Sequence, residues 1–245
     1  MSTLAGIHAV KHALEAGEAI DELLIEKGKK HPRINELIHL AKKVKVRVTF
    51  TPKEVLDRLS EGASHQGVVA RAGAQQKLRF EDWLAALDMS SAPLILLLDQ
   101  VTDPHNLGAC IRTAGAAGCA GVVVPKDNTA DIHSPVVAKS ACGALSRLPV
   151  LVVTNLVRSM KQIQDKGFWL IGLAGEAEQS LYHLDLHGAT GLVMGAEDKG
   201  LRRLVRETCD QLTHIPMPGM MESLNVSVAT GVALFEAVRQ KKDRI

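Results

Sequence analysis

The chain has 245 residues, of which 46% are apolar and 23% are charged, and its net charge is +2. This balance is typical of one large or two smaller globular domains, and no apolar run is long enough to span a bilayer. The N-terminus lacks the basic start and apolar core of a signal peptide, and none of the 4 cysteines forms a CxxC pair. We therefore expect a cytoplasmic protein with reduced thiols and no metal site.

Basic residues are concentrated in the first third of the chain. Residues 1–75 contain 12 Lys and Arg against 9 Asp and Glu, with clusters at residues 27–33 and 42–47. Such clusters are either a solvated face, which the charge alone favours, or a surface that contacts RNA phosphates. Aromatic residues make up only 3% of the chain, which argues against a platform that stacks nucleobases.

The first 72 residues alternate helix and strand patterns. Helices are predicted over 7–16, over 34–43 after Pro32 at a first helical position, and over 53–60, and strands over 22–26, 44–50 and 67–71. These elements predict a small α/β domain over residues 1–72. The following residues turn polar and lose periodicity, so a linker is predicted over residues 73–90.

The rest of the chain, residues 91–245, contains repeated short apolar runs. They are typical of buried parallel strands and lie at 93–98, 121–124, 148–153, 168–173, 191–194 and 212–216. Helical patterns separate most of these runs. Strands that alternate with helices predict a parallel sheet covered on both faces, with ligands bound at the carboxyl ends of the strands.

Three segments after predicted strand ends are richer in polar residues than packing requires. In the first, Asp103 or Asn106 can cap a helix that carries Arg112. Arg112 has Ala, Gly, Cys and Ile as neighbours. This pattern predicts a buried guanidinium with a carboxylate or phosphate partner, although a helical Arg is more often a surface charge.

The second and third segments are residues 193–202 and 218–235. Gly195 and Gly200 have P-loop spacing, but Leu201 stands where that motif needs Lys, which disfavours nucleoside triphosphate binding. Glu197 reads most simply as a first-turn acid of a helix. In the third segment Ser223, Asn225 and Ser227 exceed what one helix cap needs, so a loop that presents groups to a ligand is predicted. The chain has no GxGxxG after a strand and no GxSxG.

Together these segments resemble the three motifs of the SpoU (TrmH) family of the SPOUT superfamily, the S-adenosylmethionine-dependent RNA ribose 2′-O-methyltransferases. Residues 103–112, 194–201 and 223–229 are similar to the first, second and third motifs. Asp198-Lys199 departs slightly from the smaller or more acidic residues often found there. Residues 6–10 and 64–70 are similar to the substrate-binding domain of family members that methylate a guanosine of 23S rRNA in the peptidyl-transferase P-loop.

The resemblance implies an α/β protein in two parts. Residues 91–245 would form a SPOUT α/β-knot, a deep trefoil with a mostly parallel sheet, after a small L30e-like RNA-binding domain. It also implies a homodimer that acts on 23S rRNA, with S-adenosylmethionine as the methyl donor and no metal. A tRNA or another rRNA nucleotide remains an alternative substrate. A non-catalytic RNA-binding protein on the same scaffold is a second alternative, whose mark would be loss of Arg112 or Asn225.

The resemblance further implies the site residues. The catalytic group would be Arg112, Asn106, Glu197, Ser223 and Asn225. The donor would be held by Gly195, Ile215, Leu224, Met194, Gly200, Pro216 and Gly219. Arg112 would be nearest the chemistry. Because an Arg side chain is almost always protonated, it would be either a strongly perturbed base or a group that holds the RNA phosphate and stabilises the developing alkoxide.

Overall fold

The computed structural model describes residues 3–15, 20–29, 31–60, 64–72, 78–196, 199–221 and 223–242. The chain divides into two compact units, Met1–Lys77 and Leu78–Ile245. Both units combine helices with a sheet, so the predicted α/β class is confirmed. No helix within these described ranges is long and apolar enough to cross a membrane.

The N-terminal unit is a four-stranded sheet with helices on both faces. In chain order its elements are β1 Thr3–Ala5, α1 Ile7–Glu15, β2 Ile20–Glu26, α2 Pro32–Lys43, β3 Arg47–Thr51, α3 Lys53–Leu59 and β4 Val68–Ala72. The strand order is β1-β4-β2-β3, and β2 pairs with β3 in parallel and with β4 in antiparallel orientation. On β2, Leu23 and Ile25 pack with α1 and α2, whereas Leu24 packs with Leu56 of α3.

The two N-terminal segments that carry the resemblance lie side by side. Strand β1 pairs with β4, and the Gly6 amide donates to the Val68 carbonyl at 3.0 Å. Gln66 Oε1 accepts a hydrogen bond from the Ile7 amide, at the first turn of α1. The buried His65 ring joins the Gly67 amide at Nδ1 (3.0 Å) and Asp57 Oδ1 at Nε2 (2.8 Å). These contacts fix the turn between α3 and β4 against the start of α1.

The second unit is built on six strands. Its elements are α4 Phe80–Ala86, β5 Leu94–Leu98, α5 Pro104–Ala116, β6 Gly121–Pro125, α6 Pro135–Ala141, β7 Val150–Val153, α7 Leu156–Asp165, β8 Trp169–Leu173, β9 Thr190–Met194, α8 Arg203–Thr208, β10 Gln211–Thr213 and α9 Val226–Lys242. The strand order is β10-β8-β9-β5-β6-β7, and every pairing is parallel. The predicted parallel sheet is therefore confirmed.

Helices cover both faces of this sheet, as the unbroken apolar runs predict. On β5, Leu94, Leu96 and Leu98 belong to the core formed with α5, α6 and α9. The alternate residues Ile95 and Leu97 belong to the core formed with α4, α7 and α8. Because side chains of a strand alternate between faces, a strand buried on both sides must be apolar throughout.

Part of the predicted linker over residues 73–90 is a helix that belongs to the second unit. Helix α4 buries Phe80, Trp83 and Leu84 in the core of the second unit. The Trp83 ring lies so close to Gly121 that a Cβ there would be 2.7 Å from it, and Trp83 Nε1 donates to the Ala120 carbonyl. One helix of seven residues among polar neighbours is too short for its periodicity to show. Residues 73–77 lie outside the described residues, so a linker there stays a prediction.

Candidate active site

The three motif segments lie at one edge of the parallel sheet. Because all six strands run in one direction, their carboxyl ends meet at the same edge. The loop after β5 leads into α5, and the loops after β9 and β10 lead towards α8 and α9. Two neighbouring clefts open along this edge. The position predicted for a ligand is thus where the structure has room for one.

The first cleft, here called the glycine cleft, has a volume of about 260 Å³. Its lining includes five of the residues assigned to the donor, Met194, Gly195, Gly200, Ile215 and Leu224, and one assigned to catalysis, Ser223. The end of β8 and the loop after it add Leu173, Ala174 and Gly175, and the start of α9 adds Val226 and Ala229. Residues far apart in the sequence are therefore brought to one cavity by the ends of β8, β9 and β10.

Two residues assigned to the donor do not line this cleft. Pro216 and Gly219 are exposed and lie in the loop between Ile215 and Ser223. Their assignment to the donor therefore stays a prediction. Glu197 lies outside the described residues, so its catalytic assignment stays a prediction.

Gly195 is required by the packing of its own loop. The Ala196 amide donates to the Gly200 carbonyl (3.1 Å), and the Gly200 amide donates to the Ala196 carbonyl (2.9 Å). A Cβ on Gly195 would lie 2.1 Å from the Gly200 carbonyl carbon and 2.4 Å from the Leu201 amide nitrogen. No backbone tolerates such a contact. The absence of a side chain at residue 195 therefore allows the loop to close and to form one wall of the glycine cleft.

An ion pair between a buried carboxylate and an exposed arginine anchors the other end of this loop. Asp99 follows β5 and is completely buried, and its two oxygens accept hydrogen bonds from the Arg202 amide (2.9 Å) and from Arg202 Nε (2.8 Å). Arg202 Nη2 lies 2.6 Å from Asp99 Oδ1. A buried carboxylate needs such partners. This pair was not predicted from the sequence, although a charged residue that directly follows a buried strand is a signal for such a pair.

His214 contributes a polar group to the glycine cleft. Its ring nitrogen Nδ1 is buried and has no hydrogen-bond partner among the described residues. A buried, unpaired nitrogen costs free energy unless a ligand or a water molecule bonds to it. The glycine cleft thus combines apolar walls with close backbone, and one of its lining residues has an unsatisfied ring nitrogen; apolar walls with a few polar groups are typical of a small-molecule site. His214 was not predicted as a site residue.

The second cleft, here called the amide cleft, has a volume of about 290 Å³. Its polar lining residues are Gln100, Thr102, Asp103, Asn106, Asn128 and Lys199. Ala196 and Val226 line both clefts, so these two residues stand between them. Two ligands that occupy the clefts together would meet at this shared wall.

A hydrogen bond joins the first and third motifs beside the amide cleft. Asn225 Nδ2 donates to Asn106 Oδ1 at 3.1 Å, while Asn225 Oδ1 accepts from the Ser227 amide (2.9 Å) and hydroxyl (2.6 Å). Asp103 caps α5 by accepting from the Asn106 amide at 2.8 Å. Two of the residues assigned to catalysis are thus in direct contact, and each is held at the start of a helix.

The expectation that Arg112 is buried is wrong for the single chain. The buried side of α5 carries Leu107, Gly108, Cys110, Ile111 and Ala114, and Arg112 lies on the exposed side. Its Nη1 donates to Cys142 Sγ at 3.4 Å. Arg112 lines neither cleft of its own chain. Its small neighbours suggested burial, but Ala and Gly are equally compatible with a face that another surface covers.

Two of the four cysteines, Cys119 and Cys209, are unsuited to act as nucleophiles. Burial raises the pKa of the Cys119 thiol to about 12. Burial, with the charges of Asp210 and Asp99, raises the pKa of the Cys209 thiol to about 12. Both thiols are therefore protonated at neutral pH. Within the described part of the chain, no group of three His, Cys, Asp or Glu side chains is arranged to hold a metal ion.

Comparison with known proteins identifies the family. The model of the SpoU rRNA Methylase family matches residues 93–235, and a model described as RNA 2′-O ribose methyltransferase substrate binding matches residues 3–78. The chain belongs to the SpoU rRNA methylase family. The match covers both units and all three motifs, so the resemblance seen in the sequence is confirmed.

Individual relatives match over almost the whole chain. A 23S rRNA (guanosine-2′-O-)-methyltransferase RlmB from Shewanella oneidensis is 50% identical over 238 residues, 97% of this chain and 96% of that protein. The protein of the same name from Escherichia coli K12 is 49% identical over 240 residues, 96% of this chain and 97% of that protein. The similarity to these relatives therefore extends over both units of the chain.

Solved structures show the same fold. An AdoMet-bound rRNA methyltransferase from Sinorhizobium meliloti has a TM-score of 0.74 at 25% identity, over 97% of this chain and 87% of that one. The SpoU methyltransferase AviRb from Streptomyces viridochromogenes has a TM-score of 0.71 at 26% identity, over 99% of this chain and 90% of that one. The fold of this chain is accordingly that of the SPOUT methyltransferases of the family.

Proposed function

We propose that this protein is an S-adenosylmethionine-dependent methyltransferase that methylates the ribose 2′-oxygen of a guanosine in 23S rRNA, within the peptidyl-transferase P-loop. The observation that carries the proposal is the near-complete match to relatives named for this reaction. The two adjoining clefts at the strand ends support it, because methyl transfer needs two ligands in contact. The reaction on ribosomal RNA also supports a cytoplasmic location.

The glycine cleft fits the methyl donor. S-adenosylmethionine, when bound, supplies an electrophilic methyl group on a sulfonium. The apolar side chains of Ile215 and Leu224 would flank the adenine, and the backbone near Gly195 would bond to the adenosine part. The unpaired His214 Nδ1 is a further polar group for the donor. These are the features expected of a site that binds a nucleoside with an apolar base and polar edges.

The protein's task in the reaction is to position the ribose hydroxyl and to manage its proton. An in-line transfer gains most of its rate from orientation. Asn106, which lines the amide cleft and is bonded to Asn225, would hold the nucleotide together with Asn225, and Ser223, which lines the glycine cleft, would act on the donor side. Arg112 would hold the RNA phosphate and stabilise the alkoxide as it develops.

We propose that two subunits complete the site. On α9, Val228 is 51% exposed and Phe235 is 49% exposed. They are seven residues apart and therefore lie on one face of the helix. A second subunit on this face would bury both side chains. Arg112 is also exposed and lines neither cleft of its own chain. This position supports a site in which Arg112 of one subunit acts at the clefts of the other subunit.

Phe235→Asp is expected to dissociate the dimer, because a charged carboxylate cannot be buried in an apolar interface without a partner. Light scattering at micromolar concentration should show a dimer for the wild type and a monomer for the variant. Leu204→Asp is the matched control, since Leu204 is 54% exposed on α8, which covers the opposite face of the sheet. A wild-type monomer, or a dimeric Phe235→Asp variant, would contradict the proposed interface.

We propose that the N-terminal unit, residues 1–72 in the sequence-based division, captures the RNA. Lys42, Lys43 and Lys45 are exposed at the end of α2 and in the turn that follows it. The positive charges of these lysines can bind phosphates. The charges of Arg47 and Arg71 are less suited to this, because ion pairs with Glu22 partly neutralise them. This unit contains none of the three motifs, so its contribution should be to RNA affinity and not to donor binding.

The triple variant Lys42→Gln, Lys43→Gln and Lys45→Gln is expected to bind rRNA about tenfold more weakly, with unchanged affinity for S-adenosylmethionine. Loss of phosphate contacts should also flatten the salt dependence of RNA binding. Filter binding over a series of salt concentrations measures both quantities, and calorimetry measures the donor. Equal salt slopes for the variant and the wild type would show that these lysines belong to a merely solvated face.

Labelled S-adenosylmethionine and protein-free 23S rRNA or tRNA provide the test of the function itself. The expected result is a label on one guanosine ribose of 23S rRNA, mapped by nuclease digestion. Label on tRNA, or on another rRNA nucleotide, would favour the alternative substrates. RNA binding without any transfer would favour a non-catalytic RNA-binding protein.

A further inference from the structure

The amide cleft has the right position for the base of the target nucleotide. In a nucleotide the base is attached to C1′, the neighbour of the carbon whose oxygen would receive the methyl group. Because the base and the reacting oxygen belong to the same nucleotide, the base must lie beside the donor's methyl group, no further away than the length of that nucleotide. The amide cleft meets this condition, because it shares Ala196 and Val226 with the glycine cleft.

The lining of the amide cleft is suited to recognition by hydrogen bonds. Six side chains that can donate or accept hydrogen bonds line it, and no aromatic side chain does so among the described residues. A base in this cleft would be identified by its edge and not by stacking. The cleft combines one carboxylate, on Asp103, with one ammonium group, on Lys199, and three amides.

The loops on either side of the cleft hold two of these amides in an unusual backbone conformation. Gln100 has φ 62° and Asn128 has φ 55°, in the left-handed region that residues other than glycine rarely occupy. The Ala130 amide donates to the Val101 carbonyl at 3.0 Å, so the loop after β6 is tied to the loop after β5. Both amides are thereby kept at the cleft.

We infer that the amide cleft holds the guanine base of the target nucleotide and that Asp103 recognises its N1–H and N2–H groups. The inference rests on the proposed function. One Asp103 oxygen, Oδ1, accepts from the Asn106 amide at 2.8 Å. The other, Oδ2, accepts no hydrogen bond within the described ranges and is left for a ligand. Gln100, Asn128 and Lys199 supply donors for the guanine O6.

A carboxylate distinguishes guanine from the other bases. The Watson–Crick edge of guanine presents two adjacent N–H donors, which one ionised carboxylate accepts with strong, charge-assisted bonds. Adenine and cytosine place a ring acceptor next to their amino group, and uracil has one N–H between two carbonyls. Each of these would set an acceptor against the Asp103 carboxylate, which is unfavourable when the site is shielded from water.

Asp103→Asn tests the inference without removing the helix cap, because Asn caps a helix as well as Asp. Two RNA substrates are compared that differ only at the target, guanosine or inosine, since inosine lacks the N2 amino group. The wild type should lose about 10- to 100-fold in kcat/KM on inosine, the range for a lost hydrogen bond to a charged group. With the guanosine substrate, kcat/KM of the Asp103→Asn variant should be lower than that of the wild type by a similar factor. Replacement of guanosine by inosine should then lower the kcat/KM of the variant by less than about a further threefold.

Asp88→Asn is the matched control, since Asp88 caps a short helix before β5, at the opposite end of that strand, by accepting from the Ser90 amide at 2.9 Å. It should keep the wild-type ratio of the two substrates. An Asp103→Asn variant with the wild-type ratio overturns the inference alone. A wild type that methylates neither RNA overturns the proposed function and this inference with it. If transfer by the variant is too slow to time, the ratio of its affinities for the two RNAs is compared with the same ratio for the wild type.

Discussion

Replacement of Arg112 by Ala is expected to lower methyl transfer about a thousandfold, the scale for removal of a group that stabilises a developing oxyanion. Folding should be almost unaffected, because Arg112 is exposed and the hydrogen bond that is lost goes to Cys142 Sγ, a weak acceptor. Donor binding should also persist, since Arg112 does not line the glycine cleft. Single-turnover methylation measures the first effect, and thermal unfolding and calorimetry measure the other two.

Arg112→Lys tests whether the reaction needs only the positive charge at residue 112 or also the planar shape of the guanidinium. Lysine keeps the positive charge but lacks the planar fork that binds a phosphate in two places, so this variant should also lose most activity. Cys142→Ala is the control, because it removes the thiol that Arg112 contacts and leaves the guanidinium in place. Near-normal turnover of Arg112→Ala would exclude this residue from the mechanism.

Replacement of Gly195 by Ala is expected to abolish binding of S-adenosylmethionine. The added Cβ would lie 2.1 Å from the Gly200 carbonyl carbon, so the loop between Ala196 and Gly200 has to open. This loop is one wall of the glycine cleft. Calorimetry should therefore detect no binding at donor concentrations that saturate the wild type, while the unfolding temperature falls only slightly because Ala196 and Gly200 belong to neither core.

Gly188→Ala provides the comparison, since a Cβ at residue 188 meets nothing within 4 Å. This variant adds the same methyl group and should bind the donor normally. Full donor affinity in Gly195→Ala would place the donor elsewhere and would overturn the assignment of the glycine cleft.

The architecture was largely predictable because its signals are local. A run such as residues 94–98 is apolar at every position, and this pattern is compatible with a strand that is buried on both faces. Strand ends were less accurate. Strand β3 begins at Arg47, not Val44, because the residues before it end α2 and form a turn with Lys45 at φ 60°. Turns of this kind have only a weak sequence signal when no glycine is present.

The site was predictable in its loops but less so in its pairings. The motif resemblance identified the loops that form the glycine cleft, including Met194, Ile215 and Leu224. It did not identify the Asp99–Arg202 ion pair, whose members are 103 residues apart and meet only when the ends of β5 and the 195–202 loop come together. Nor did it give the environment of Arg112, because small residues on a helix do not reveal whether a face is covered by the same chain.

The shared wall between the clefts has a consequence for inhibitor chemistry. Of the residues that the structure describes, Ala196 and Val226 alone line both cavities, so a short tether suffices to pass from one to the other. A single compound that joins an adenosine-methionine mimic to a guanosine would occupy both cavities at once. Its second half would bind at the high effective concentration set by a short linker, and its affinity would exceed that of either half by a large factor. Such a bisubstrate ligand would also be selective, since it has to match two cavities and the distance between them.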